Sequence, residues 1–260
     1  MKFSLSGRII EVAYKYCKMS IDEFIKMAGE IGYDAVELRR TQISEKTTPE
    51  ELQQIKEASQ KYNVGISRIP ACSVKDDASM KELEKYADMA VELNCPYLAI
   101  GFETTQWAQR AADYLKERDL SIAIQVHTDG PFESPELALK TLKEIDRDNF
   151  GLMFDPANYF VRRIDYVKAV EQLKDYIFIV SVQCLAEASP DDAHAEEERG
   201  FYYKRHLLGQ PGGMDFQAVF DAVKKIGFDG YVTVIEPISE VMESRELAKH
   251  MYEQLKKMTA

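Results

Sequence analysis

Tyr231-Val232-Thr233-Val234-Ile235-Glu236-Pro237 is a short β-branched run that ends in a carboxylate and a proline. An earlier segment has the same form: Gly151-Leu152-Met153-Phe154-Asp155-Pro156-Ala157-Asn158. Both read as apolar strands that deliver an acid at the C-terminal end. In a parallel α/β sheet or barrel, that edge is where ligands bind. Each acid also has an ordinary reading as a turn residue, since Asp-Pro and Glu-Pro commonly end strands. Two such endings in one chain favour the functional reading.

Working outward from these two strands, six further segments are rich in Val, Ile and Leu. The eight lie near residues 2–6, 34–39, 64–69, 97–102, 121–126, 150–155, 177–183 and 230–236. Helical patterns with readable starts lie between them. Ser20-Ile21-Asp22-Glu23 is a capping box, in which Ser20 bonds the amide of Glu23 and Glu23 bonds back. Thr48-Pro49-Glu50-Glu51 repeats it with Pro at the first helical position, and Ser79-Met80-Lys81-Glu82 has the same form. Ser134-Pro135-Glu136 opens another helix, and Asp215 precedes an apolar face at Phe216, Val219, Phe220 and Val223. Strand–helix alternation of this kind requires parallel pairing with right-handed crossovers. Eight units in 260 residues predict a single (β/α)8 barrel over residues 1–260. A doubly wound sheet is less favoured, because no strand is followed by a glycine-rich nucleotide-binding turn.

Bulk properties narrow the function. The hydrophobic fraction of 45% is enough for a full core, and the formal charge of −11 argues against nucleic acid or an anionic membrane as partner. Cys17, Cys72, Cys95 and Cys184 form no paired spacing and read as reduced thiols of a cytoplasmic protein. The first residues lack an apolar run of signal length, and no segment reaches the length of a membrane-spanning helix. The segment 184–214 is a long connection with an acidic run and then Tyr202, Tyr203, Lys204, Arg205 and His206. Connections of that length commonly cover a site, so a partial lid over the mouth is expected.

The tops of the strands carry the candidate chemistry. They are Glu37, Arg68, Gly101, Gln125 with His127, Asp155 with Asn158, Ser181 with Gln183, and Glu236. Residues two apart on a strand share a face, so Gln125 and His127 are expected to point the same way, as are Ser181 and Gln183. Acids, amides and an imidazole around one axis suit a polyhydroxylated ligand, a small-molecule sugar or polyol. They also suit a hard divalent cation held through oxygen. Two opposed carboxylates can move a proton beside a carbonyl. The ordinary alternatives are that Glu37 pairs with Arg39 or Arg40, that His127 caps a loop, and that His194 and His250 lie at the surface. Arg205 and His206 are candidates for contact with a phosphate or carboxylate, and Trp107 reads as packing.

Four stretches carry a resemblance: Gly32-Tyr33-Asp34-Ala35-Val36-Glu37, Phe154-Asp155-Pro156-Ala157-Asn158, Leu208-Gly209-Gln210-Pro211-Gly212-Gly213-Met214-Asp215, and Gly227-Phe228-Asp229-Gly230 running into Glu236. In this order the chain resembles the xylose-isomerase-like TIM barrels, sugar and sugar-phosphate isomerases and epimerases that also include endonuclease IV. The resemblance implies a divalent metal (Mn, Mg, Zn or Co) held by a Glu after strand five, an Asp after six, a His after seven and a Glu after eight. It also implies that the two glutamates exchange the substrate proton. Asp155 and Glu236 match. Gln125 stands at the strand-five position, and Ser181 or Gln183 stands where a His is expected, with His127 matching the second His of a His-x-His. On this basis the metal set is Asp155, Glu236, Gln125 and Gln183. Glu236, His127 and Glu37 are the catalytic candidates, and Arg68, Asn158, Ser181, Arg205 and His206 the substrate-binding ones. The endonuclease branch fits poorly with four histidines and an acidic balance. Two functions follow as expectations: an isomerase or epimerase (with a dehydratase or lyase as a related chemistry) acting on a sugar, sugar phosphate or cyclitol, or a barrel that binds a polyol or a protein partner without turnover. A homo-oligomer is left open.

Overall fold

A computed structural model describes residues 1–237 and 242–260. Eight parallel strands close into a barrel: Lys2–Ser6, Ala35–Glu37, Gly65–Val74, Tyr97–Phe102, Ser121–Gln125, Phe150–Phe154, Ile177–Val182 and Tyr231–Val234. Each pairs with its neighbour in sequence, and the last closes on the first with Lys2 opposite Tyr231 and Leu5 opposite Val234. All eight expected strands are present. Among the described residues the outer layer is Ile21–Ile31, Pro49–Tyr62, Asp77–Glu92, Thr105–Lys116 and Pro135–Ile145, then the pair Pro156–Val161 and Tyr166–Leu173, then Phe216–Lys225 and Ser244–Thr259.

Local sequence explains the helix starts. Ser20 and Thr48 form reciprocal capping boxes with Glu23 and Glu51. Ser134 caps the amide of Leu137 with Pro135 in the first turn, and Asp215 caps that of Ala218. The Ser79 expectation is corrected. Asp76 is the cap, Ser79 is the third helical residue, and Ser79 bonds back to Asp76. An aspartate three residues earlier competes better for the free amides because it also brings charge to the positive helix end.

Residues 184–214 are more ordered than a bare loop. Leu185–Glu187, Glu196–Glu198 and Phe201–Arg205 form a small antiparallel sheet, with Leu185 opposite Arg205. Phe201 packs edge-on against Phe160 at 5.4 Å, which ties this flap to the helix after the sixth strand. Trp107 is half-buried, with the Arg110 guanidinium 4.3 Å over its ring.

Strand alternation assigns residues to two sides. Leu5, Val36, Leu152, Val180, Val232 and Val234 belong to the main core shared with the helices. Ala123, Met153, Ile179 and Ile235 form a separate apolar cluster, joined by Tyr97, Phe178 and Tyr231. Polar side chains also lie buried within the barrel. Ser4 and Ser67 hydroxyls meet at 2.7 Å, and Thr233 stands in register with Ser181.

Gly151 marks a close approach between strands. A Cβ there would lie 2.7 Å from the Tyr176 carbonyl oxygen and from the Phe178 ring. Gly151→Ala must therefore push backbone, at a cost of about 2 kcal/mol. The expected outcome in calorimetry is a Tm lowered by about 5 °C. An unchanged Tm would contradict this packing.

Candidate active site

Asp155 ends the sixth strand and caps the helix that begins at Pro156. It is wholly buried. Its Oδ2 accepts from three amides: Gln125 Nε2 at 2.7 Å, Gln183 Nε2 at 2.9 Å and Asn158 Nδ2 at 3.0 Å. Its Oδ1 accepts from the backbone of Ala157 at 3.1 Å. The polarity of two of these amides is fixed by their other partners. Asn158 Nδ2 also donates to the Val126 carbonyl at 2.8 Å, and only a nitrogen can do that. Gln183 Oε1 accepts from Arg205 Nη1 at 2.6 Å, and arginine can only donate. Burial pushes the Asp155 carboxyl above the usual carboxylate range, while the Gln125, Ser181 and Gln183 side chains and the Ala157 amide pull it back. The Ser181 hydroxyl is close enough to exert this pull, yet lacks full hydrogen-bond geometry to any partner among the described residues.

Glu236 follows the last strand and is 5% exposed. Its Oε1 accepts from the Cys184 amide at 2.6 Å, across the top of the neighbouring strand. Burial pushes its carboxyl up to about 7. Arg205 and the Cys184 amide favour the charged form, and Asp155 opposes it. The adjacent Cys184 thiol is pushed up to about 12, chiefly by burial and then by Glu236, so it is a neutral packing group.

The other half of the mouth is an ion-pair cluster. Glu37 is 1% exposed and accepts from Ser6 Oγ at 3.0 Å. It pairs with Arg68 at 3.2 Å and Arg39 at 3.4 Å. Arg68 is also buried, and its Nε donates to the Ala123 carbonyl on the fifth strand at 2.9 Å. Arg39 in turn reaches Glu11 at 3.6 Å. These groups and Gln125 line a cavity of about 380 Å³, and Gln125 joins it to the Asp155 cluster.

Most of the expected residues meet at this end of the barrel: Gln125, Asp155, Asn158, Ser181, Gln183, Arg205 and Glu236 on one side, Glu37 and Arg68 on the other. Two do not. His127 was expected beside Gln125, but the strand ends at Gln125 and the alternation ends with it. The imidazole is 65% exposed and bonds Asp129 at 2.9 Å. That is the loop-cap arrangement. His206 stays within the flap, its Nε2 meeting the Gln210 carbonyl at 3.3 Å. His250 is half-buried rather than at the surface, bonded to the Leu208 carbonyl at 2.9 Å. Sequence reasoning missed Glu11, 3% exposed, which lies beyond the first strand with no local pattern to mark it. Arg39 and Arg40 were seen only as partners of Glu37. Arg39 takes that role, whereas Arg40 donates to the Ala71 carbonyl.

The donors at the mouth do not fit a divalent cation. Such an ion needs lone pairs aimed at one point, about 2.0–2.2 Å from each carboxylate oxygen. Asp155 Oδ2 already faces three N–H groups, Gln183 turns its oxygen to Arg205, and Glu236 Oε1 holds the Cys184 amide. Among the described residues no group of three or more His, Cys, Asp or Glu side chains is placed to hold a metal ion. Nor is any helix there long and apolar enough to cross a membrane.

Comparison with known proteins agrees with this architecture. Residues 25–258 match the model of the xylose isomerase-like TIM barrel family, and the chain belongs to that family. Among solved structures it is similar to the IolI protein with a bound zinc atom, at a TM-score of 0.77 and 17% identity over 100% of this chain and 98% of that one. It is also similar to D-allulose 3-epimerase from Methylomonas sp., at a TM-score of 0.75 and 18% identity over 99% and 98% of the two chains. A curated relative, the uncharacterized protein MJ1311 of Methanocaldococcus jannaschii, is 28% identical over 123 residues. That stretch spans 46% of this chain and 37% of the relative, so the chain covers little over a third of it.

The Glu236 shift has a consequence for stability. Its folded value of about 7 lies above the ordinary 4.5, so between those values the native state holds a proton that the unfolded chain has released. Stability from this group is therefore full below pH 4.5 and is lost as pH rises through 7, a change of about 3 kcal/mol. Glu236→Gln keeps an acceptor for the Cys184 amide and removes the charge. In urea titrations across that range, the variant is expected to lack this decline and to exceed the wild type in stability at pH 8. Parallel curves would show that Glu236 does not titrate near neutrality.

Proposed function

We propose that the chain is a sugar isomerase of the epimerase–isomerase kind, acting on a sugar, sugar phosphate or cyclitol, with Glu236 as the group that exchanges the substrate proton. The observation that carries this reading is a buried carboxyl at the end of the last strand, beside the Asp155 network, which Gln125 joins to the cavity at the barrel mouth. A carboxyl poised near neutrality can both take and return a proton at working pH. The Glu37, Arg39, Arg68 and Gln125 side chains in the cavity wall suit a ligand rich in hydroxyls, and one solved neighbour is a D-allulose 3-epimerase.

The arrangement favours one base over two. Epimerisation at one carbon needs proton removal and delivery on opposite faces. Gln125, at the strand-five position, carries no proton that it can exchange. Glu37 is held by Arg39 and Arg68, and His127 faces outward. Isomerisation between neighbouring carbons needs only one group on one face. Glu236 takes the proton from the carbon beside the carbonyl, the C–H electron pair forms the new C=C bond while the carbonyl π pair moves onto its oxygen to give an enediolate, and the hydroxyl proton passes between the two oxygens. The protonated Glu236 then returns its proton to the former carbonyl carbon. Gln125, Gln183 and Arg205 orient the oxygens. No step passes through a metal, because the donors do not fit one.

The second reading is a barrel that binds a polyol without turnover. It is favoured by the saturation of Asp155 with amide donors, where the family pattern implies ligands and a base.

Solvent-proton exchange separates the two. In D2O, with a panel of aldoses, ketoses, their phosphates and inositols followed by proton NMR, the enzyme reading expects deuterium at one carbon and formation of the paired isomer. Glu236→Gln is expected to slow this by about 1,000-fold. Full activity in Glu236→Gln would refute the role of Glu236. Binding of a polyol with no exchange in the wild type would establish the binding reading instead.

A further inference from the structure

The resemblance implies a metal at the barrel mouth, yet the chain places a cation of its own there. Arg205 ends the flap strand Phe201–Arg205. That strand is pinned next to the seventh barrel strand by backbone pairing. Arg205 stands opposite Leu185, and the His206 amide donates to the Cys184 carbonyl at 3.0 Å. The guanidinium therefore reaches Gln183 Oε1 at 2.6 Å and lies close enough to Glu236 to favour its ionised form. Its one ion pair among the described residues is long, 3.9 Å to Glu196.

We propose that this barrel excludes a divalent metal, and that the Arg205 guanidinium, supplied by the flap, is the resident positive charge at its mouth. Three features carry the inference. First, the amide polarity is locked. Arg205 can only donate, so Gln183 must turn its oxygen to Arg205 and its NH2 to Asp155. A metal at Asp155 would face three N–H groups. Second, Asp155 and Glu236 are both buried at the mouth, and Arg205, joined to Asp155 through Gln183, is the cation that favours the charged form of Glu236. Third, an arginine beside the metal position repels a divalent ion, whereas a neutral histidine from the strand-seven position would bind it. Arg205, Gln183 and Gln125 thus act together, and each replaces one element of a metal site: its charge, its imidazole and its carboxylate.

Metal binding is read directly, without turnover, so this inference and the isomerase reading can fail separately. Full-length protein is purified without chelator, analysed for bound metals, and then titrated with MnCl2 and ZnCl2 while thermal unfolding is followed. The wild type is expected to hold far less than one metal per chain and to show no rise in Tm at millimolar Mn2+ or Zn2+. Gln125→Glu/Gln183→His is expected to bind weakly, and the same pair combined with Arg205→Ala about tenfold or more tightly, with a Tm rise of about 5 °C at saturating metal. If the triple variant fails to fold, Gln183→His with and without Arg205→Ala makes the same comparison. Stoichiometric metal in the wild type would overturn the proposal. So would equal affinity with and without Arg205, or no binding by any folded variant, because the exclusion would then not lie in these residues.

Discussion

Closure of the barrel is the constraint on which the rest depends. Lys2–Ser6 must pair with Tyr231–Val234, more than 200 residues away in sequence, and with Ala35–Glu37 on its other side. Closure brings the Glu236–Cys184 contact of the last two neighbouring strands and the Glu37–Arg68 pair of the second and third strands to one mouth. Closure also leaves no sheet edge to protect, so short strands suffice. The cost is the crowding of polar groups inside a narrow cylinder. Ser4 and Ser67 bond each other, and Arg68 reaches the Ala123 carbonyl on another strand. Most buried polar atoms are partnered in this way, whereas the Ser181 and Thr233 hydroxyls lack full hydrogen-bond geometry among the described residues.

The mouth is organised as two electrostatic halves joined by one amide. Glu37, Arg68, Arg39 and Glu11 neutralise one another on one side. On the other, Gln183 links Asp155 to Arg205, and Glu236 is held by the Cys184 amide. Gln125 belongs to both, as a wall of the cavity and a donor to Asp155. A neutral amide suits this place because it transmits hydrogen-bond polarity without adding a buried charge. The flap is part of the second half. Arg205 has its place because Phe201–Arg205 pairs with Leu185–Glu187, the strand that follows the seventh barrel strand.

Much of this was legible in the chain, and much was not. Periodicity and caps are local physics, so the eight strands, the capping boxes at Ser20 and Thr48, and the acids at Asp155 and Glu236 could be read directly. The Ser79 cap went to Asp76 because two residues three apart both suit a cap, and charge decides between them. His127 was misplaced because a two-residue period holds only while the strand lasts, and the strand stops at Gln125. Glu11 carried no signal at all. It lies in a two-residue strand beyond the first barrel strand and reaches the cavity wall beside its partners Arg39 and Thr41.

By itself the sequence determined the alternation of strands and helices, hence the barrel, and the presence of amides where the family pattern has a glutamate and a histidine. Those are properties of residue type and spacing. Tertiary structure alone decided what the amides do. Whether Gln183 offers its oxygen or its NH2 to the centre depends on a guanidinium 22 residues away in sequence and 2.6 Å away in space. Likewise, Glu236 titrates near neutrality only because the fold buries it. Hydrogen-bond polarity and desolvation are set by neighbours, and neighbours from distant parts of the chain are known only once the barrel has closed.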